Sequence, residues 1–158
     1  MSTITPDMII ATARGEIGYK EKPGNNNKYG EWFGMNGVSW CAEFVSWVFA
    51  QNKASNLIPN TYNKNGYCGC AITVNFLRSK KLFIPAAQAM PGYLAFFDFN
   101  NDGVSDHTGI VVKVDLDKKL ITCIEGNTGS GKNQSDGDGV YERVRPFSEV
   151  LGIGKVIY

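Results

Sequence analysis

The chain has 158 residues, a formal net charge of +1, and 43% hydrophobic against 20% charged residues. That length fits a single domain, residues 1–158, with one hydrophobic core, and the composition excludes a disordered chain. Near-neutral charge without a long basic run argues against nucleic acid as the partner, and no apolar run reaches bilayer-spanning length, which argues against membrane insertion.

The first ten residues, MSTITPDMII, lack the basic start and long apolar run of a secretory signal. Synthesis in the cytoplasm is expected, with action elsewhere after lysis or by another exit route. Thr5-Pro6 is a helix start, with Thr5 as N-cap and Pro6 in the first turn. Ile9, Ala13 and Ile17 then form one apolar stripe, which Gly18 and KPGNNN (22–27) end. The next stretch, with Tyr29, Trp32 and Phe33, reads as an aromatic loop. A second helix begins near Cys41, because Cys41, Phe44, Val45, Val48 and Phe49 recur at i, i+3, i+4, i+7 and i+8. A polar loop spans 52–69. A third helix is expected over 70–81, with Cys70, Val74 and Leu77 on one face and Lys80-Lys81 at its C-terminal end.

After Pro91-Gly92 the sequence turns β-branched and aromatic. Strands are expected over 93–97, 107–114, 119–125, 140–145 and 152–158, with a hairpin turn at 115–118 and a glycine-rich loop over 126–139. Helices followed by an antiparallel sheet make an α+β fold.

Four cysteines, Cys41, Cys68, Cys70 and Cys123, are too few for a disulfide framework at this length, and Cys123 reads as a buried thiol. With one histidine in the chain, His107, a four-ligand zinc site is disfavoured. Cys41 is the cysteine with a chemical context. A thiolate is the nucleophilic form, and a helix N-terminus and a neighbouring imidazolium both favour it. If Cys41 is a nucleophile, His107 has to be its base. If 107–114 and 119–125 form a hairpin, the start of one strand lies beside the end of the other, which brings Glu125 and Asn127 close to His107. The plainer reading of each residue also stands: a buried thiol, a satisfied histidine, polar groups at a turn.

The combination of NKYGEWFGMNGVSWCAEFVSWVF (27–49), DHTGIVVKV (106–114) and IEGNT (124–128) resembles the CHAP family of cysteine peptidoglycan hydrolases, found in phage endolysins, tail-associated lysins and bacterial autolysins. The resemblance implies a papain-like fold, with N-terminal helices packed on the C-terminal sheet. It implies cleavage of an amide bond in peptidoglycan, by an N-acetylmuramoyl-L-alanine amidase or a peptide endopeptidase. By motif, Cys41 is the nucleophile, His107 the base and then acid, Glu125 the group that orients His107, and Asn127 a helper in that orientation. The partner implied is bacterial peptidoglycan, reached through a separate wall-binding domain or a phage tail component. Other papain-like hydrolases, of NlpC or deamidase type, and a non-catalytic calcium-dependent wall-binding module are the competing classes. The backbone N–H of Cys41 suits an oxyanion. Asn36 and Ser39 are candidate side-chain donors, with an ordinary turn role the better reading. Trp40, Tyr29 and Trp32 are read either as groove or as core.

FDFNNDGVSDH (97–107) places Asp98, Asn100, Asp102, Gly103 and Asp106 at the spacing of the first half of a calcium loop, with Gly109 where the bidentate glutamate would stand. A structural calcium on Asp98, Asn100, Asp102 and Asp106 and an ion-free turn are equal readings. The acidic cluster upstream of the cysteine that some CHAP domains use for calcium is not carried over, because 20–32 holds only Glu21 and Glu31.

Overall fold

The computed structural model describes residues 3–129 and 136–158. Helix α1 (Pro6–Gly15) starts where extended Thr5 accepts a hydrogen bond from the Met8 N–H and Pro6 fills the first turn, where no N–H is required. Ile9 and Ala13 are buried, but Ile17 lies beyond the helix end and is exposed, because the chain turns away through Gly18 at φ 100°.

The aromatic stretch expected as a loop is a short helix, α2 (Lys28–Phe33). The Asn27 side chain accepts from the Gly30 N–H at 2.8 Å, and Gly34 ends the helix in the left-handed region. Six residues are too few to display a helical stripe, so periodicity misses it.

Helix α3 (Cys41–Gln51) is the centre of the molecule and packs on α1, α2 and the sheet. Its expected stripe is buried, and so are Ala42, Glu43 and Ser46, since neighbours enclose it on more than one side. Helix α4 (Cys70–Ser79) buries Cys70, Val74 and Leu77.

Six strands follow among the described residues: β1 (Phe83–Ile84), β2 (Leu94–Phe97), β3 (His107–Asp115), β4 (Leu120–Thr128), β5 (Gly139–Pro146) and β6 (Val150–Gly154). They form one antiparallel sheet in the order β1-β6-β2-β3-β4-β5. The β3–β4 hairpin is present, with β4 running three residues past its expected end, so Gly126, Asn127 and Thr128 belong to a strand and not to a loop. The rest of the expected glycine-rich loop includes 130–135, which lie outside the described residues. The last strand ends at Gly154 rather than at residue 158, and β1 was too short to be seen in the sequence. Among the described residues, four α-helices beside a six-stranded antiparallel sheet make an α+β fold compatible with the papain-like arrangement.

The sheet is buried on both faces. Leu94, Phe96, Ile110 and Ile124 pack with the helices in the main core. Ala95, Phe97, Val111, Ile121, Cys123 and Ile153 form a second, smaller cluster. Strand alternation sends successive residues of β2, β3 and β4 to these two cores.

Candidate active site

Cys41 is the first residue of α3 and is 5% exposed. The first turn of a helix leaves backbone N–H groups unsatisfied, and its field favours negative charge there. The helix start is fixed by Trp40. This fully buried residue stacks on Tyr29 at 5.3 Å between ring centroids, and its indole N–H donates to the Glu21 carboxylate. Gly126 lets β4 approach this corner, since an added Cβ would come within 2.6 Å of the Phe44 side chain and 2.8 Å of the Trp40 ring.

His107 opens β3 opposite Phe97 and is fully buried. Its Nε2 is 2.8 Å from Glu125 Oε1. Its Nδ1 has no hydrogen-bond partner among the described residues, and the nearby Cys41 thiol raises the imidazole. Glu125 reaches the imidazole by crossing Gly109, where an added Cβ would sit 2.6 Å from Glu125 Cγ. Any other residue at 109 would push the carboxylate away.

Electrostatics follow from these contacts. Cys41 is held well below the usual thiol range: hydrogen bonding with Cys70 is the largest cause, burial opposes it, and His107 and the backbone N–H of Thr108 add to the lowering. Burial works against a charged His107, but its bonds to Cys41 and Glu125 outweigh that and push it up to about 9. Burial also works against a charged Glu125, and its hydrogen bonds with Arg145 and His107 overcome it, so the carboxyl stays ionised. The lowered thiol and the raised imidazole both favour a thiolate–imidazolium pair backed by a carboxylate, the arrangement that nucleophilic acyl transfer requires.

A model of the CHAP domain matches residues 33–127, more than half of the chain, which includes Cys41, His107 and Glu125. The chain belongs to the CHAP domain family. CHAP domains are cysteine- and histidine-dependent hydrolases of the amidase and peptidase type, associated with peptidoglycan and the cell wall. A comparison with curated proteins found no match.

The other candidates of this CHAP domain fall as follows. Asn127 is buried two residues beyond Glu125, with left-handed backbone at φ 53°, and its carbonyl accepts from the Gly137 N–H at 3.0 Å. Asn36 accepts from the N–H groups of Asn27 and Gly37, both at 3.0 Å, which is a turn role, and Ser39 is exposed. Tyr29 and Trp40 belong to the core, while Trp32 is half-buried.

In the 98–106 loop the acidic groups are turned onto their own backbone. Asp98 accepts from Asp102 N–H at 3.2 Å and Gly103 N–H at 2.8 Å, Asp102 from Val104 N–H at 2.9 Å, and Asp106 from Phe99 N–H at 2.7 Å. Asn100 Oδ1 accepts from Asp102 N–H at 3.3 Å. No group of three or more His, Cys, Asp or Glu side chains among the described residues is placed to hold a metal ion. Asp98, Asn100, Asp102 and Asp106 thus each accept from a backbone N–H of their own loop, as in an Asx-rich turn.

Three site residues were not read from the sequence. Arg145 of β5 is 1% exposed and gives Glu125 two hydrogen bonds, Nε to Oε2 at 2.8 Å and Nη2 to Oε1 at 2.6 Å. Its guanidinium lies over the rings of Phe97 and Phe99, at 5.0 and 4.7 Å from their centroids. Glu43, also in the first turn of α3, is fully buried with both carboxylate oxygens unpartnered among the described residues, and burial first, then the charge of Cys41, push it up to about 8. Cys70, the first residue of α4, is buried in the same core as Cys41 and lowers the Cys41 thiol.

Proposed function

We propose that this CHAP domain cleaves an amide bond of bacterial peptidoglycan, either the N-acetylmuramoyl-L-alanine bond or a bond of the stem peptide or cross-bridge. The observation that supports this best is the buried His107–Glu125 pair together with a thiol, Cys41, that opens α3 and that His107 helps to hold low. The Cys41 thiolate attacks the amide carbonyl carbon. The oxyanion takes a hydrogen bond from the backbone N–H of Cys41. The C–N bond breaks as the His107 imidazolium gives its proton to the leaving nitrogen, and a thioester remains. Water then gives a proton to His107 and attacks the thioester, releasing the carboxylic acid and restoring the thiolate. Glu125 holds the imidazole in place and offsets its charge, and Asn127 is assigned a helper's part in that orientation. The wall is the site of action, reached with a separate wall-binding domain or a phage tail component.

Mass spectrometry of purified peptidoglycan after digestion tests the reading. New lactyl-alanine ends name an amidase, and split stems or cross-bridges name an endopeptidase. An intact sacculus after incubation with folded protein overturns the peptidoglycan reading and leaves another papain-like hydrolase or a wall-binding module.

A further inference from the structure

Tyr67 lies in the segment between α3 and α4 that reads as a polar loop, yet it is fully buried. Its backbone is held by α3. The Ser46 hydroxyl donates to the Tyr67 carbonyl at 3.0 Å and accepts from the Tyr67 N–H at 3.1 Å. Gly66, at φ 139°, allows that approach, since an added Cβ would sit 2.4 Å from Ser46 Oγ. The Tyr67 hydroxyl lies 3.1 Å from the Thr108 hydroxyl of β3, and Thr108 donates to the Ala95 carbonyl of β2 at 2.8 Å. A hydroxyl has one proton to give. Thr108 directs its own at a carbonyl, which can only accept, so Tyr67 is the donor to Thr108. The chain Ser46–Tyr67–Thr108–Ala95 is buried throughout. It joins the helix that starts with Cys41 to the strand that starts with His107.

We propose that Tyr67 is a positioning residue whose backbone and hydroxyl clamp β3 to α3, fixing where His107 stands relative to Cys41. This rests on the reading of Cys41 and His107 as nucleophile and base. Alanine, phenylalanine and valine at 46, 67 and 108 would fill nearly the same space with no buried hydroxyl to satisfy, and such paired replacements can be neutral for stability. What the hydrogen bonds add is direction, because a fully satisfied buried network specifies one arrangement. Thr108 also sits between His107 and Gly109, the residue over which Glu125 reaches the imidazole. A shift of β3 at Thr108 therefore moves the base and the seat of its carboxylate together. Burial pushes the Tyr67 phenol well above its ordinary range, so the donor keeps its proton wherever His107 titrates.

His107 is the chain's single histidine, so one imidazole signal reports on the pair by NMR. The titratable groups that act on it are Cys41 of α3 and Glu125 of β4, with Arg145 of β5 bonded to Glu125. Wild type is expected to titrate at about 9. Tyr67→Phe removes one buried hydroxyl and keeps the ring. Its midpoint is expected to fall by about one pH unit, which is a tenfold weaker pairing with the thiolate. Thr108→Val removes the acceptor and keeps the shape, and is expected to fall as far, while Thr108→Ser is expected to stay with wild type. In a Cys41→Ala background the Tyr67→Phe shift is expected to vanish, because the hydroxyl acts through the spacing of the pair. A shift of full size in that background overturns the proposal. So does a Tyr67→Phe midpoint equal to wild type in a protein that melts cooperatively. If Tyr67→Phe does not fold, Thr108→Val decides by the same comparison. A wild-type midpoint near 6.5 sinks the nucleophile reading as well, so the two failures are distinguishable.

Discussion

Arg145 and Glu125 form a two-point ion pair inside the protein, at 2.6 and 2.8 Å, and the same Glu125 oxygen that accepts the shorter bond also accepts from His107 at 2.8 Å. The carboxylate is shared between a cation that is always charged and an imidazole whose charge matters for the chemistry. Arg145→Met removes the permanent partner and leaves a buried, uncompensated carboxylate, a change that costs about 3–5 kcal/mol in comparable pairs. Calorimetry is expected to show that loss, and the pH–rate profile is expected to shift because Glu125 then takes up a proton. Arg145→Lys keeps the charge without the two-point geometry and is expected to fall between. A methionine variant with the wild-type melting temperature and pH profile would remove Arg145 from the site.

The pH dependence of activity follows from the pair. Cys41 is lowered and His107 is raised to about 9, so thiolate and imidazolium coexist between those two values. Hydrolysis is expected to rise through the depressed thiol value and to fall as pH passes about 9. The sign for stability agrees: a histidine raised above its ordinary 6.5 contributes fully below that value and loses its contribution as pH rises through about 9. Rates and melting temperatures on one pH series check both. A falling limb near 6.5 would mean that the imidazole works without the ion pair.

Glu43 gives a separate signature. Its folded value of about 8 lies above the ordinary 4.5, so the folded protein holds a proton that the unfolded chain releases. Stability from this group is complete below pH 4.5 and declines as pH rises towards 8. Glu43→Gln abolishes that slope, and the variant is expected to gain on the order of 2 kcal/mol over wild type at neutral pH. Stability difference curves that stay parallel from acid to neutral pH would contradict it.

The 98–106 loop is satisfied by its own backbone N–H groups. Chelator is expected to leave the melting temperature unchanged, and added calcium is expected not to raise it, since an ion bound only to the folded state would do so by mass action. A rise with calcium would show that the loop rearranges around the ion.

The helical stripe of α3 and the β3–β4 hairpin were legible because each rests on a periodicity that burial enforces. The hairpin alone was enough to bring His107 next to Glu125. What stayed hidden depends on contacts between residues far apart in sequence. Arg145 reads as one more charge in an alternating strand, and only the sheet order puts it beside Glu125. Cys70 reads as the start of a helix, and only the packing of α4 puts it in the core that also holds Cys41. Helix α2 is built by two caps on six residues, a local device with no period to detect. Ile17 failed in the opposite way, since its spacing continued after the helix had stopped.

The most direct test of the account compares wild type with Cys41→Ala for release of soluble fragments from purified peptidoglycan, with melting temperatures measured on the same samples. The account predicts fragments from wild type, none from the variant, and a folded variant. Release by a folded Cys41→Ala protein at the wild-type rate would contradict it, because the chemistry would then not depend on the thiol that opens α3.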